Sequence, residues 1–215
     1  MKLDSREITF EDWTLRIHPA SQKPGRILLM LHGWTGDENS MWVFAGGFPK
    51  NVWMLAPRAP YNATPSGYSW RVPQPGGWPS MVTMRQSAAM LADLVERFAV
   101  ANALDAEKID VIGFSQGGAM AAAFALLYPH KVHRLGILAG FVPQGAEDFI
   151  AARPLAGIHA FVTHGTQDET VPIEFARRSV DILEQAGAVI DYCESALGHK
   201  VSAECRAALE KFLAG

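Results

Sequence analysis

Ser115 lies in Gly113-Phe114-Ser115-Gln116-Gly117-Gly118, a G-x-S-x-G pattern. The apolar run 109–112 precedes it and the almost wholly apolar stretch 119–128 follows directly, so the pattern reads as strand, sharp turn and helix. Such a turn lifts a serine hydroxyl above the C-terminal edge of a sheet, beside a helix N-terminus. Gly113 and Gly117 carry no side chain to obstruct the chain as it doubles back. The chemistry on offer is acyl transfer, in which the hydroxyl attacks a carbonyl carbon. A serine hydroxyl is a poor nucleophile at neutral pH. It needs a base to take its proton, and the base needs a carboxylate to fix its tautomer.

In strand–turn–helix sites of this kind the chain order is Ser, acid, His, with acid and base in loops after later strands. Asp168 lies in His164-Gly165-Thr166-Gln167-Asp168-Glu169-Thr170-Val171-Pro172, and His199 in Leu197-Gly198-His199-Lys200. The order 115, 168, 199 is the required one. Glu169 is the competing acid, and the non-catalytic alternative for Asp168 is a cap on a helix near Ile173. His164, four residues before Asp168, reads as a histidine that orders the loop. His18, His130, His133 and His159 have no comparable setting. The tetrahedral intermediate also needs N–H donors for its oxyanion. Gln116, next to the nucleophile, offers one. The other is assigned to Trp34 in His32-Gly33-Trp34-Thr35-Gly36-Asp37, leaving His32 to hold that loop.

These residues need a scaffold that brings distant loops to one edge. Short Val-, Ile- and Leu-rich runs at 27–31, 52–56, 109–112, 135–139, 158–162 and 189–192 read as strands covered on both faces of a parallel sheet. Residues 13–17 alternate apolar and polar, an edge strand that pairs in a hairpin with 8–10. Helical stripes occupy 81–101, 119–128, 173–186 and 202–213. Strand–helix alternation through most of the chain predicts one doubly wound α/β domain spanning 1–215. The 17 residues from 141 to 157 leave no room for a helical cap over the site.

The segment 57–80 departs from the alternation. It holds six prolines together with Tyr61, Tyr68, Trp70 and Trp78. A connection longer than about 12–15 residues is uncommon in a compact domain and is often functional. It reads either as a packed surface loop or as a wall of the binding site. Trp70, Phe141 and Val171 are the expected substrate contacts, with Trp34 and Met41 as further candidates.

Composition removes several classes. The chain has 215 residues, 49% hydrophobic and 19% charged, with a formal charge of −3. That excludes a disordered chain and argues against a nucleic-acid partner. The longest apolar run, ten residues at 119–128, is half of what a membrane span needs (~20). Two acidic residues lie where a signal peptide would have its apolar core, so no secretory signal is expected. No two glycines are two apart and no Gly-x4-Gly pair precedes Lys, so dinucleotide and phosphate-loop fingerprints are absent. His130 and His133 lack a third ligand, and no metal is expected. Cys193 and Cys205, twelve apart, suit no metal knuckle and read as reduced thiols in a cytoplasmic protein.

Taken together, these motifs resemble the phospholipase/carboxylesterase family of small α/β-hydrolases, which includes the acyl-protein thioesterases. The resemblance covers nearly the whole chain from Leu28-Leu29-Met30-Leu31-His32-Gly33 onward. The serine motif is its most specific part; Ala56-Pro57-Arg58-Ala59-Pro60, Ser69-Trp70, the Asp168 loop and Gly198-His199 complete it. It implies an α/β-hydrolase fold without a cap domain and a serine hydrolase with an exposed groove. It also implies a small-molecule ester or thioester as partner and no cofactor. A serine carboxylesterase acting on short- to medium-chain esters is the leading expectation. An acyl-protein thioesterase or lysophospholipase is the alternative within enzymes, and a non-catalytic hydrolase-fold binding protein the alternative outside them. A homodimer is compatible with the sequence; stable membrane insertion is not expected. One position departs from the pattern of the thioesterase members: Thr35 stands where glycine is usual, with glycine at 36.

Overall fold

The computed structural model describes residues 4–22, 26–74 and 76–215. Met1 to Leu3, read above as part of an N-terminus without a leader, and Pro75 of the long loop lie outside the described residues. In chain order the elements are β1 (Arg6–Phe10), β2 (Trp13–His18), β3 (Arg26–Leu31), β4 (Val52–Pro57), β5 (Tyr61–Asn62), β6 (Tyr68–Ser69), α1 (Met81–Ala101), β7 (Ile109–Phe114), α2 (Gln116–Leu127), β8 (Val132–Leu138), β9 (His159–Gly165), α3 (Ile173–Gln185), β10 (Val189–Ser195) and α4 (Ala203–Ala214).

The main sheet has the order β1-β2-β4-β3-β7-β8-β9-β10. β1 and β2 form the expected antiparallel hairpin, with Ile8 opposite Leu15, but residues 13–17 are not the edge: β2 also pairs antiparallel with β4, and β1 is the outermost strand. From β4 to β10 every neighbouring pair is parallel. Parallel strands all end on the same edge, which gathers the loops after β3, β7, β9 and β10. This is a mostly parallel sheet flanked by helices, an α/β-hydrolase fold.

The central strands are apolar on both faces because helices cover both. Leu29, Leu31 and Val111 pack with α1 and α2 on one side. Leu28, Met30, Met54 and Phe161 pack with Leu209 and Leu213 of α4 on the other. α1 begins at a capping box: Ser80 Oγ accepts from the Thr83 N–H at 3.3 Å, and Thr83 Oγ1 accepts from the Ser80 N–H at 3.0 Å. Its buried stripe (Met84, Ala88, Leu91, Val95, Phe98) follows the helical period. α2 is buried nearly all round, which places it at the centre of the layer. Between β8 and β9 the chain makes only a 3-10 turn, Ala146–Ala152, and among the described residues no helical cap rises over the sheet edge. No described helix is long and apolar enough to cross a membrane.

Two further expectations are corrected. The 189–192 run was expected to be covered on both faces, but β10 is an edge strand paired only with β9, its residues exposed or half-buried. Asp191 and Glu194 share the strand with Val189 and Ile190, and edge positions accept that mixture. Cys193 and Cys205 are not free thiols: they form a disulfide joining β10 to the first turn of α4. Packing of strand against helix sets their Cα atoms 5.7 Å apart, within bridging range. A separation of twelve along the chain carries no trace of that proximity. The two cysteines therefore lend no support to a reducing compartment. The bridge closes the segment that carries His199.

Candidate active site

β7 ends at Phe114 and α2 begins at Gln116, so Ser115 alone makes the turn. Its backbone is driven to φ 54° and ψ −117°, a region that residues with a Cβ seldom occupy. The turn can close because the flanking glycines touch backbone. A Cβ on Gly113 would lie 2.0 Å from the Gly117 carbonyl oxygen, and one on Gly117 would lie 2.0 Å from that of Leu31. Ser115 N donates to Leu138 O at 2.9 Å, fixing the elbow to the end of β8.

Asp168 follows β9 and His199 follows β10. His199 Nδ1 lies 2.6 Å from Asp168 Oδ2. The other carboxylate oxygen accepts from the N–H groups of Thr170 and Val171, each at 2.9 Å. His164 Nε2 lies 2.7 Å from the Val171 carbonyl and 3.2 Å from Asp168 Oδ2. A carbonyl can only accept, so that nitrogen carries the proton, and His164 orders the loop. Burial alone would push the Asp168 carboxyl up. Hydrogen bonds from the Val171 N–H, the His199 imidazole and the Thr170 N–H outweigh it and hold the group below the usual carboxylate range. The alternatives raised by the sequence separate here. Glu169 is exposed, and α3 starts at a Pro172 cap that receives no side-chain hydrogen bond, so Asp168 caps no helix.

The His199 ring packs against Phe114, centroids 4.9 Å apart, which brings the imidazole beside the residue preceding Ser115. Among the described residues Ser115 Oγ and His199 Nε2 are not hydrogen-bonded. Nucleophile–base contacts of this sort are commonly loose without substrate and tighten in the reacting complex.

The loop after β3 approaches closely: a Cβ on Gly33 would lie 3.4 Å from the Ser115 Cβ. Trp34 N and Gln116 N have no acceptor among the described residues, whereas Thr35 N donates to Tyr68 O at 3.1 Å and Gly36 N to Gly33 O at 3.0 Å. Thr35 sits at φ 66°, a strained conformation for a β-branched residue and one that glycine adopts freely. His32 is structural. Its Nε2 accepts from Ala59 N at 3.0 Å, its Nδ1 faces Gly33 O at 2.7 Å, and burial pushes its basicity down. It is therefore a neutral Nδ1–H imidazole that pins the loop to the chain after β4.

The described residues of segment 57–80 are partly packed into the core and partly line the cavity beside Ser115. Trp70 is corrected as a substrate contact: it is fully buried. Its indole N–H donates to His32 O at 2.8 Å and its backbone N–H to Gln116 Oε1 at 2.9 Å. Met41 is likewise core. The cavity beside Ser115, about 440 Å³, is walled instead by Trp34, Phe141 and Val171, together with Trp78 and Arg71, which the sequence reading did not single out as contacts. Trp78 stacks on Phe175 at 4.4 Å and meets Phe141 edge-on at 5.1 Å, so these walls brace each other.

A further support of the Trp34 loop was not read from the sequence. Glu38, 1% exposed, receives both Arg58 Nε at 2.7 Å and Nη2 at 2.9 Å, and the guanidinium lies 4.7 Å over the Tyr68 ring. The Arg58 contact holds the Glu38 carboxyl below its usual value of 4.5. Arg58→Ala leaves that buried carboxylate without its cation and should cost about 3 kcal/mol in denaturant unfolding at pH 7. Because the folded-state value is depressed, the pair's contribution is fully present above pH 4.5 and is lost as pH falls through the lower value. The stability gap between parent and variant should narrow across that acid window; a gap that stays constant would show the pair to be uncoupled from Glu38 ionisation.

Comparison with known proteins agrees with this architecture. A family profile described as Phospholipase/Carboxylesterase matches residues 14–215. A probable carboxylesterase SOBER1-like protein of Arabidopsis thaliana is 28% identical over 208 residues, covering 86% of this chain and 77% of its own. Acyl-protein thioesterase 1 of Kluyveromyces lactis is 24% identical over 221 residues, covering 93% and 95% respectively. Among solved structures, a carboxylesterase from Mesorhizobium loti superposes with a TM-score of 0.83 at 23% identity, over 99% of both chains.

Proposed function

This chain belongs to the phospholipase/carboxylesterase family, and on that premise we propose that it is a serine carboxylesterase working through an acyl-enzyme on Ser115. The observation that carries this reading is the 2.6 Å Asp168–His199 hydrogen bond at the same sheet edge as the strained Ser115 turn. His199 Nε2 takes the Ser115 proton as Oγ attacks the ester carbonyl. The N–H groups of Trp34 and Gln116 receive the oxyanion. The protonated imidazole then gives its proton to the departing alcohol. Asp168 stays ionised, orients the ring and stabilises its positive charge. Water, deprotonated by His199, attacks the acyl-enzyme, and collapse of the second intermediate returns the proton to Ser115 and frees the acid. Each step uses groups of this chain and water alone.

Substrates are short- to medium-chain esters. The cavity is open and walled by bulky rings, and each further CH₂ is worth about 0.8 kcal/mol only while apolar wall remains to receive it. In a C2–C16 p-nitrophenyl ester series run beside acyl thioesters, kcat/KM should peak between C2 and C6. Phe141→Ala should move the peak to longer chains. Trp70→Ala should leave the peak in place and cost about 3–5 kcal/mol of stability, since it empties a core position. A parent optimum at C12 or beyond, or a thioester preference, would favour the acyl-protein thioesterase or lysophospholipase reading. Turnover of none of these substrates would favour a binding protein.

A further inference from the structure

Among the described residues Arg71 is the only charged one lining the cavity that Ser115 and Gln116 open into. It also lines an adjoining hollow of about 390 Å³, where no other described lining residue is charged. Trp34 and Gln74 border both spaces, so the two meet at this guanidinium. Other arginines of the chain are paired with carboxylates: Arg58 holds Glu38, Arg177 holds Glu194 and Arg178 holds Glu147. Among the described residues Arg71 has none. Its side chain makes one hydrogen bond, from Nη2 to the Gly77 carbonyl at 2.9 Å, which steadies the group without neutralising it. A guanidinium has five N–H donors, so most of them face open space.

The backbone of Arg71 is registered to the nucleophile. Ser69 Oγ donates to Arg71 O at 2.8 Å and lies 3.3 Å from Arg71 N. The same hydroxyl accepts from Gln116 Nε2 at 3.2 Å, and Trp70 N donates to Gln116 Oε1 at 2.9 Å. Two neighbours of Arg71 are thus bonded to the residue after Ser115. A cation with free donors, held at a set place on a cavity wall whose other described residues are uncharged, matches the planar fork of a carboxylate.

We propose that Arg71 is a specificity-determining residue that selects esters bearing a carboxylate on their acyl or alkoxy part. The inference rests on the esterase reading of Ser115 and names its substrate class. Arg71 takes no part in bond making; it holds the far end of the substrate while the ester carbonyl lies at Ser115.

The test compares parent and Arg71→Gln on matched esters by pH-stat. Monomethyl glutarate against methyl hexanoate places the charge on the acyl side; 4-acetoxybutanoate against pentyl acetate places it on the alkoxy side. For at least one pair the parent should favour the anionic ester by about tenfold or more in kcat/KM. Arg71→Gln should abolish that preference, bringing the anionic-to-neutral ratio of kcat/KM within the responding pair down to about one. Arg71→Lys should keep part of the preference. Which pair responds identifies the side that Arg71 reads. Neutral esters hydrolysed with no anionic preference, or a preference that survives Arg71→Gln, would overturn the inference and leave the esterase reading standing. Hydrolysis of neither member of either pair would overturn both.

Discussion

Ser115→Ala should lower kcat by on the order of 10⁶, the scale on which removing the serine of a comparable triad acts. The substitution deletes the only hydroxyl at the elbow and disturbs little else. The strained backbone is set by Gly113, Gly117 and the Ser115 N–H to Leu138 bond, all of which alanine keeps. Stability should therefore hold or rise slightly. Residual turnover would come from the oxyanion donors acting on water-borne attack. A drop of only tenfold would mean that another group forms the acyl-enzyme.

Asp168→Asn should lower kcat by about 10⁴ while binding is nearly unchanged. The amide oxygen can still accept from the Thr170 and Val171 N–H groups, so the loop keeps its shape. The amide nitrogen then faces His199 Nδ1, which must accept rather than donate. The ring proton moves to Nε2, and an Nε2–H cannot take the serine proton. The signature is a large loss in kcat with KM little altered. An equal loss from Glu169→Gln, with Asp168→Asn active, would reassign the acid.

The candidate catalytic residues could be picked out in the sequence because each is marked by local neighbours. Ser115 lies between a strand, two glycines and an apolar helix; Asp168 and His199 follow late strands in the right order. The sheet was legible for the same reason, since apolar runs covered on both faces differ from amphipathic stripes. β10 and β2 were the exceptions: an edge strand with two apolar residues in succession looks like a buried one over so short a span, and the alternation along β2 does not show that β1 lies outside it. Within 57–80 no periodicity tells an inward aromatic from an outward one. The sequence reading took Trp70 and not Trp78 as a substrate contact, yet the first is core and the second walls the cavity. The Cys193–Cys205 bridge and the Glu38–Arg58 pair join elements that only the folded chain brings together. Arg71 is one arginine in an irregular loop, and what sets it apart is that no described carboxylate pairs with it in space.

The central claim is that Ser115 carries the acyl group. Intact-mass analysis after treatment with a fluorophosphonate, followed by peptide mapping, reads that directly on the unmodified protein. The account predicts a single adduct, placed on the peptide containing Ser115, with loss of esterase activity in step with labelling. An adduct on any other residue, or full labelling with activity retained, would contradict it.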